Sequence, residues 1–285
     1  MDKPRVSPLP YLLTAPGIIV FFTMVLVPLL LTFILSFNGF DAITGIKATY
    51  SFNNYWQVVS DEYYQGIFLR TFWVAALTTL ICILIGAPEA YVLSRMRKPW
   101  RSIFLIVILA PLLVSVVVRA FGWSMLLSAD GLVNTMLGWF GIPPAKLLYT
   151  TGAMVVALVH VMLPFMVIPV WTSVQRLDPA VEHAALSLNA SQPTILRRIV
   201  LPQILPGILS GSLIVFGLSA SAFAIPGLLG GRRLKVVATS VYDEFLGSLN
   251  WPMGASIAII LLVANLLIML SYNRILERKY SKVLG

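Results

Sequence analysis

Six long apolar stretches, separated by shorter polar segments, dominate the pattern of the chain. A helix that crosses a bilayer needs about 20 consecutive apolar residues, and all six stretches reach or approach that length. The pattern predicts an all-α, polytopic membrane protein with six transmembrane helices. We expect the first stretch to be retained, because it is too long for a signal peptide and no small-residue cleavage pattern follows it. The predicted spans are Tyr11–Phe37, Ile67–Leu93, Ile103–Leu127, Ala153–Ser173, Ile204–Leu229 and Ala255–Tyr272.

The amino-acid composition supports the prediction of a membrane protein. Hydrophobic residues make up 59% of the 285 residues and charged residues 11%, whereas soluble domains carry about 25% charged residues. We therefore predict one transmembrane domain over residues 1–285, with no soluble domain.

The distribution of basic residues predicts the orientation of the chain in the membrane. With six spans, both termini lie on the same side, and thirteen Lys and Arg residues fall on that side and five on the other. Positive residues stay cytoplasmic, so both termini are predicted to face the cytoplasm. This topology explains the net charge of +9 without a nucleic-acid partner.

Two loops on the outer side carry helix signals of their own. The segment YSFNNYWQVV in the first loop predicts a short interfacial helix, because Tyr and Trp favour the membrane–water boundary. The segment GLVNTMLGWFGIPP in the second loop predicts an amphipathic helix that ends at Gly141. Prolines inside the spans favour a bundle that kinks and forms a cavity, although proline is also generally common in membrane helices. These prolines are Pro28, Pro88, Pro111, Pro164, Pro169, Pro206 and Pro226.

The cytoplasmic loop over residues 177–207 predicts two short helices. Asp178 followed by Pro179 is a good helix start. Glu182 and His183 are expected on the exposed face of this first helix, and Asn189 is expected to break it in a left-handed conformation. One apolar face is predicted from the spacing of Val181, Ala184, Ala185 and Leu188.

The second helix of this loop is predicted to begin at Ser191, as its cap, and to stop at Pro202. A connector between spans needs only a few residues, so two capped helices indicate a partner surface rather than a solvated linker. A DNA-binding helix–turn–helix is excluded, because spans tether the segment closely at both ends and its basic residues are too few.

The sequence HAALSLNAS followed by IVLP resembles the EAA loop of ABC-transporter permeases of the binding-protein-dependent importer class. That pattern is Glu-Ala-Ala, three residues, Gly, and a later Ile-x-Leu-Pro. Two positions differ, since His183 occupies the Glu position beside Glu182, and Asn189 replaces Gly. Further segments, between about residue 10 and residue 275, are similar to the spermidine/putrescine-type permease subfamily. The matching positions of the loop are Ala184, Ala185, Ile199, Leu201 and Pro202.

The resemblance implies the type I ABC importer permease architecture and coupling of the 177–207 loop to a cytoplasmic ATPase. Whether Glu182 or His183 makes the polar contact with the ATPase stays open. The implied partners are cytoplasmic ATP-binding subunits acting as a dimer, a second homologous permease subunit and a periplasmic or lipid-anchored substrate-binding protein. The expected ATPase-coupling residues are Glu182, His183, Ala184, Ala185, Asn189, Ala190, Ser191, Leu201 and Pro202.

The function expected from the resemblance is that of a permease subunit in the bacterial cytoplasmic (inner) membrane. It would form half of the pathway for a small solute, a polyamine or a related cation. The alternatives are an importer for an opine, a phosphonate or a metal ion, or an ion-coupled secondary transporter. Selectivity in this class lies mainly in the separate binding protein, so the sequence leaves the substrate open.

Charged and aromatic residues within the spans are the candidates for the translocation pathway, since ionisable groups in a membrane usually face a cavity or a partner. Snorkelling to the headgroups is the alternative for Arg119, and interfacial pairing is the alternative for Glu89. No catalytic residue, metal or cofactor is expected, because the chain has no P-loop sequence and Cys82, His160 and His183 are isolated. The pathway candidates are Glu89, Arg119, Trp123 and Phe165.

Overall fold

The computed structural model describes residues 9–280, with side chains described for residues 13–272 and residue 274. Within these residues, five helices are long and apolar enough to cross a membrane, or six if one sharply bent pair is a single span. The predicted all-α, polytopic class is therefore confirmed. The ends of the predicted domain over residues 1–285, including both termini, lie outside the described residues.

The described helices, in chain order, are α1 (Leu9–Leu35), α2 (Asn53–Ser60), α3 (Glu62–Arg95), α4 (Trp100–Leu109), α5 (Val116–Leu126), α6 (Leu132–Trp139), α7 (Thr151–Val174), α8 (Pro179–Ser187), α9 (Gln192–Ile195), α10 (Leu201–Ala220), α11 (Ala224–Leu229), α12 (Val237–Tyr242) and α13 (Trp251–Tyr280). A 3₁₀ turn covers Ala110–Leu113, and π turns cover Leu196–Val200 and Asp243–Gly247. The strands β1 (Gly39–Asp41) and β2 (Gly45–Lys47) form an antiparallel hairpin in which Gly39 faces Lys47.

Three of the six predicted spans match single helices to within about five residues, namely α1, α3 and α7, and a fourth lies inside the longer helix α13. The short helices predicted in the two outer loops are also present, as α2 and α6. Gly141 follows α6 with a φ of 72°, as the predicted helix end requires. The small β-hairpin was not predicted, because each of its strands is only three residues long.

The third predicted span, Ile103–Leu127, is not one straight helix. It consists of two helical segments, Trp100–Leu113 and Val116–Leu126, that are bent by 99° relative to each other. Pro111 lies in the 3₁₀ turn before the bend, and the backbone is extended at Val114, with a ψ of 137°. Extended backbone ends the helical hydrogen bonding, so the prediction of a continuous span is corrected to a broken one.

The fifth predicted span, Ile204–Leu229, has the wrong boundaries. The helical run that crosses begins at Gln192 and ends at Ala220, and α11 is separate. Proline at position 226 cannot donate a hydrogen bond to the carbonyl of Ala222, and its ring would clash with that carbonyl. The Ser221 hydroxyl bonds the carbonyl of Gly217 at 2.9 Å, within the last turn of α10. The run therefore stops well before Leu229.

The described chain divides into two compact units, of which the larger covers residues 63–240 and 263–280. Its core forms around α7, which packs most extensively along α10. Met166 of α7 is fully buried between two glycines of neighbouring helices. A Cβ on Gly86 of α3 would lie 2.9 Å from Met166 Cγ, and one on Gly211 of α10 would lie 2.9 Å from Met166 Sδ. Small residues thus let three helices approach closely, as is typical of membrane bundles.

The smaller unit covers, among the described residues, 9–62 and 241–262. Its polar contacts centre on Ser36, which is fully buried at the end of α1. The Ser36 hydroxyl lies 2.6 Å from the Tyr55 hydroxyl, and its carbonyl accepts hydrogen bonds from Asn54 and from Ser256 of α13, both at 2.9 Å. Because a buried carbonyl needs partners, these bonds fix α2 and the start of α13 to the end of α1.

The hairpin of the smaller unit is stabilised by Asp41. Its carboxylate accepts hydrogen bonds from the Lys47 ammonium at 2.8 Å and from the amides of Ile43 and Thr44 at 2.9 and 3.0 Å. The bond from Lys47, followed by those from Thr44 and Ile43, holds the pKa of Asp41 well below its ordinary value.

Candidate functional site

The predicted cytoplasmic loop folds as a helix with defined caps at both ends. At its start, the Asp178 carboxylate accepts a hydrogen bond from the amide of Ala180 at 2.9 Å, and Pro179 occupies the first helical position. Carboxylates near a helix N-terminus satisfy free amides and interact favourably with the helix dipole. The predicted start of α8 is confirmed.

The end of α8 is a Schellman motif centred on Asn189. Asn189 is left-handed, with a φ of 60°. Its amide donates to the carbonyl of Leu186 at 2.9 Å, and the amide of Ala190 donates to the carbonyl of Ala185 at 3.0 Å. These are the two hydrogen bonds that define the motif, in which glycine is the commonest central residue. Asparagine tolerates the left-handed region better than most residues, so it supplies the predicted break in place of glycine.

Glu182 does not lie on an exposed face, contrary to the prediction. Its side chain is only 13% exposed and forms an ion pair with the guanidinium of Arg95, at the end of α3. Arg95 also lies over the ring of Tyr91, with its Cζ 5.1 Å from the ring centroid. Arg95 attracts the carboxylate inward, because a mostly buried carboxylate needs a compensating charge. The polar side of α8 therefore contacts the protein itself.

The outward side of α8 is largely apolar. Leu188 is 83% exposed and Val181 is 44% exposed, and His183 and Ala184 are also exposed. Only Ala185, from the predicted apolar face, is partly buried against the core. The predicted apolar face exists, but most of it points away from the protein.

The second half of the loop is not an independent helix. Ser191 lies at the predicted cap position before α9, but its side chain makes no capping hydrogen bond to a backbone amide among the described residues. Its hydroxyl instead lies 2.8 Å from the Thr194 hydroxyl. The helical run then continues from Gln192 to Ala220. Leu201 and Pro202 therefore lie inside a long helix, and the prediction that Pro202 stops the second helix is wrong.

A π turn explains how Pro202 fits into this run. The turn covers Leu196–Val200, and the amide of Leu201 bonds the carbonyl of Leu196, five residues earlier. In an α-helix, the proline ring would clash with the carbonyl four residues before it. The wider π turn relieves this crowding, and such turns are frequent at functional sites. Ile195, just before the turn, and Val200, its last residue, are buried and fix this segment to the core.

The candidate pathway residues lie on three helices of the larger unit. Glu89 lies on α3, beside Pro88, and its Oε2 atom is buried without a hydrogen-bond partner among the described residues. Phe165 of α7 is partly buried against the core. No hydrogen bond or ion pair within the described part of the chain joins Glu89 to Arg119, Trp123 or Phe165.

Trp123 contacts a residue that the sequence did not identify. The Trp123 indole nitrogen donates a hydrogen bond to Nδ1 of His160 at 3.2 Å, and the two rings meet edge-on at 5.7 Å. On the same helix as Trp123, the Nε and Nη1 atoms of Arg119 are buried without a hydrogen-bond partner in the described chain. His160 was interpreted as isolated, because nothing in the sequence links α5 to α7 at this level.

No group of three or more metal-ligating side chains occurs among the described residues.

Comparison with known proteins places this architecture among the permeases. A family model described as "Binding-protein-dependent transport system inner membrane component" matches residues 79–282. The spermidine/putrescine transport system permease protein PotB of Salmonella typhimurium is 30% identical over 277 residues, covering 95% of this chain and 96% of PotB. PotB of Haemophilus influenzae is 32% identical over 260 residues, covering 90% of this chain and 91% of that protein.

The fold is also similar to a solved structure. A bacterial ABC transporter involved in the import of alginate contains a chain that superposes with a TM-score of 0.80 at 21% identity, over 95% of each chain. Similarity at this identity supports the fold alone. The family model covers most of the chain, including the two-helix loop, three of the long spanning helices and part of a fourth, α3. The chain belongs to the family of binding-protein-dependent transport system inner membrane components.

Proposed function

We propose that the chain is a permease subunit of an ATP-driven importer and forms half of the translocation pathway for a polyamine such as spermidine or putrescine. A separate binding protein delivers the solute, a second permease subunit completes the pathway, and a pair of ATPase subunits drives it. The observation that carries this proposal is the outward apolar face of α8, which lies in the loop that resembles the EAA loop.

The exposed side of α8 suits the ATPase as a partner. Leu188 and Val181 present apolar surface outside the spans, where burial against a partner is favourable by about 25 cal/mol per Å². Glu182 forms an inward ion pair with Arg95, so its role is to hold α8 at a fixed angle and not to contact the ATPase. His183 is then the exposed polar residue that meets the ATPase. This arrangement favours His183 for the polar contact that the sequence left open.

The buried carboxylate of Glu89 favours a cationic solute as the transported molecule. Its buried Oε2 has no hydrogen-bond partner among the described residues, and a carboxylate oxygen in a membrane helix is costly unless it meets a cation. The PotB relatives are spermidine/putrescine permeases by name. A polyamine passing Glu89 would supply the missing charge.

Arg119 supports a second candidate, an importer of the same class for an anionic solute such as a phosphonate or an opine. Two of its guanidinium nitrogens are buried without a partner in the described residues, and guanidinium groups bind carboxylates and phosphates with bidentate geometry. The two candidates require opposite charges in the solute, so transport assays separate them.

The test is uptake into vesicles that contain the chain with its partner permease, its ATPase and its binding protein. We expect ATP-dependent uptake of spermidine that falls at least tenfold in Glu89→Gln. Glu62→Gln removes the same charge at the exposed start of α3 and serves as the matched control, with unchanged uptake. Uptake of a phosphonate, but not of spermidine, with loss in Arg119→Gln, would favour the second candidate. Uptake that proceeds without ATP would exclude an importer of this class.

A further inference from the structure

A groove of about 720 Å³ runs between α3 and the helical run that contains α9 and α10, within the larger unit. Its volume is within the range of about 300–1,000 Å³ that is typical of ligand sites. Arg197 is the only charged residue in its lining, and the Tyr91 side chain also contributes a polar atom. The remaining surface is apolar and includes Leu84, Val200 and Ile204.

Two local features line this depression. On α3, the small residues Ala87 and Pro88 lie between bulkier neighbours. On the opposite side, the π turn Leu196–Val200 contributes Leu196, Arg197 and Val200 to the lining. The groove therefore combines small side chains on α3 with a π turn on the facing helix.

The length of the groove matches one leaflet of a bilayer. On α3 the lining extends from Ile83 to Val92, a distance of about 14 Å at 1.5 Å per residue. That is about half of a hydrocarbon core of about 30 Å. Val92 lies near the end of α3 that precedes the short loop to α4, so the groove occupies the leaflet on the coupling-loop side.

The charge lies at the headgroup end of the groove. Arg197 lies only two residues after the end of α9, close to the coupling loop, whereas Ile208 lines the opposite, apolar end. Arg197 is exposed and forms no ion pair among the described residues, unlike Arg95, which is paired with Glu182. A free guanidinium above an apolar channel complements a phosphate above an acyl chain.

We propose that this groove binds one anionic phospholipid, with an acyl chain along α3 and α10 and the phosphate at Arg197. The inference rests on the proposed function in one respect, namely that the coupling loop is cytoplasmic. The lipid would then contact the π turn directly and join the end of α3 to the segment that leads from the coupling loop into the membrane.

The experiment measures lipid retained on the purified complex by native mass spectrometry. The intact complex is incubated with phosphatidylglycerol or with phosphatidylcholine of the same acyl chains. We expect preferential retention of phosphatidylglycerol and a decrease of about fivefold in Arg197→Gln, the effect of losing one basic contact with an anionic lipid. Arg198→Gln is the matched control, because Arg198 is the neighbouring exposed arginine and does not line the groove. Leu84→Trp, at an exposed position of the apolar lining, should lower retention of both lipids.

Three results would overturn the inference. The first is equal loss of phosphatidylglycerol in Arg197→Gln and Arg198→Gln, which would indicate non-specific attraction to the basic loop. The second is equal retention of both lipids by the unmodified complex, or displacement of phosphatidylglycerol by inorganic phosphate alone. The third is efficient cross-linking of Leu84→Cys to the second permease subunit, which would show that a protein covers the groove.

Failure of the proposed function is a separate outcome. It would appear as a failure of the unmodified chain to assemble with an ATPase, before any lipid is added.

Discussion

Glu182 of α8 forms an ion pair with Arg95 of α3, across 87 positions of sequence. The pair links the loop that resembles a coupling motif to the end of a spanning helix. Its carboxylate is mostly shielded from solvent, so this contact fixes the orientation of α8 and with it the direction in which Leu188 points.

We predict that Glu182→Lys weakens association with the ATPase by displacing α8, because two positive side chains would then meet at this position. Co-purification of the ATPase should decrease severalfold, while membrane insertion stays normal. The charge-reversed double variant Glu182→Lys with Arg95→Glu should recover most of the association. Recovery of ATPase association would show that the ion pair is what matters, since a direct contact between Glu182 and the ATPase would leave the double variant as weak as the single one.

Glu182→Gln should cost only about 0.5–1 kcal/mol of folding stability, because the ion pair is partly exposed at Arg95.

Leu188→Asp should reduce ATPase association with little effect on folding. The side chain is 83% exposed, so its loss removes apolar surface that only a partner can bury. We expect at least a tenfold decrease in ATPase binding and unchanged thermal stability of the isolated chain. Ile43→Asp is the matched control, because Ile43 is also apolar and exposed but lies in the β1–β2 hairpin of the other unit. An equal decrease in both variants would contradict an interface at α8.

Asn189→Gly should keep the loop intact, and Asn189→Val should damage it. The φ of 60° at this position costs a β-branched residue about 1–2 kcal/mol, and glycine nothing. We expect the valine variant to lose coupling between ATP hydrolysis and uptake, while the glycine variant retains it. Hydrogen exchange at the amide of Ala190, which closes the Schellman motif, reports the local effect.

Gly86→Ala should destabilise the larger unit by about 1–3 kcal/mol, as overpacking does in well-packed cores. The new methyl group would lie 2.9 Å from Cγ and 3.2 Å from Cβ of Met166, neither of which is the flexible end of the side chain. Gly217→Ala is the control, because the nearest atom there is 3.6 Å away, at the tip of Met269. Thermal unfolding in detergent measures both. Met166→Ala removes Cγ but keeps Cβ, so the cost of Gly86→Ala should be smaller in a Met166→Ala background than in the unchanged chain. An equal cost in both backgrounds would point to a different cause.

The β1–β2 hairpin should lose stability in acid. The pKa of Asp41 is lowered by Lys47 and by the amides of Thr44 and Ile43, from an ordinary value of 3.8. A lowered carboxyl pKa contributes stability that is present above the ordinary value and is lost as the pH falls through the folded value. The protection of the β1–β2 amides from hydrogen exchange, relative to the intrinsic exchange rate at each pH, should therefore be unchanged down to about pH 4 and decrease below it. Asp41→Asn should abolish this pH dependence.

Local rules predicted the features of the loop that depend on neighbouring residues. The cap at Asp178 and the left-handed break at Asn189 follow from side-chain chemistry within a few positions, and both are present. The inward orientation of Glu182 depends on Arg95, which approaches only in the folded protein, so no local pattern reveals it. The cluster of Trp123 with His160 was missed for the same reason, since 37 positions separate them.

Hydrophobic periodicity located the spans but not their interruptions. A bent helix pair and a straight helix have the same apolar composition, so the hydrophobic pattern of the sequence does not reveal the 99° bend after Pro111. At Pro202 the sequence predicted a helix end where the structure has none. A proline that would end an isolated helix is tolerated here because a π turn precedes it. The side chains that would line a pathway depend on the arrangement of helices, and therefore Glu89, Arg119 and Phe165 stay predictions.

The helical run from Gln192 to Ala220 joins the loop that resembles a coupling motif to a spanning helix. Its 29 residues extend about 43 Å at the rise of an α-helix, enough to reach from the loop through the whole bilayer. A movement of the loop would therefore reach Ala220 through continuous helix. The π turn Leu196–Val200 lies near the loop end of this run, so a substitution that changes the turn should change how such a movement reaches the far side of the membrane.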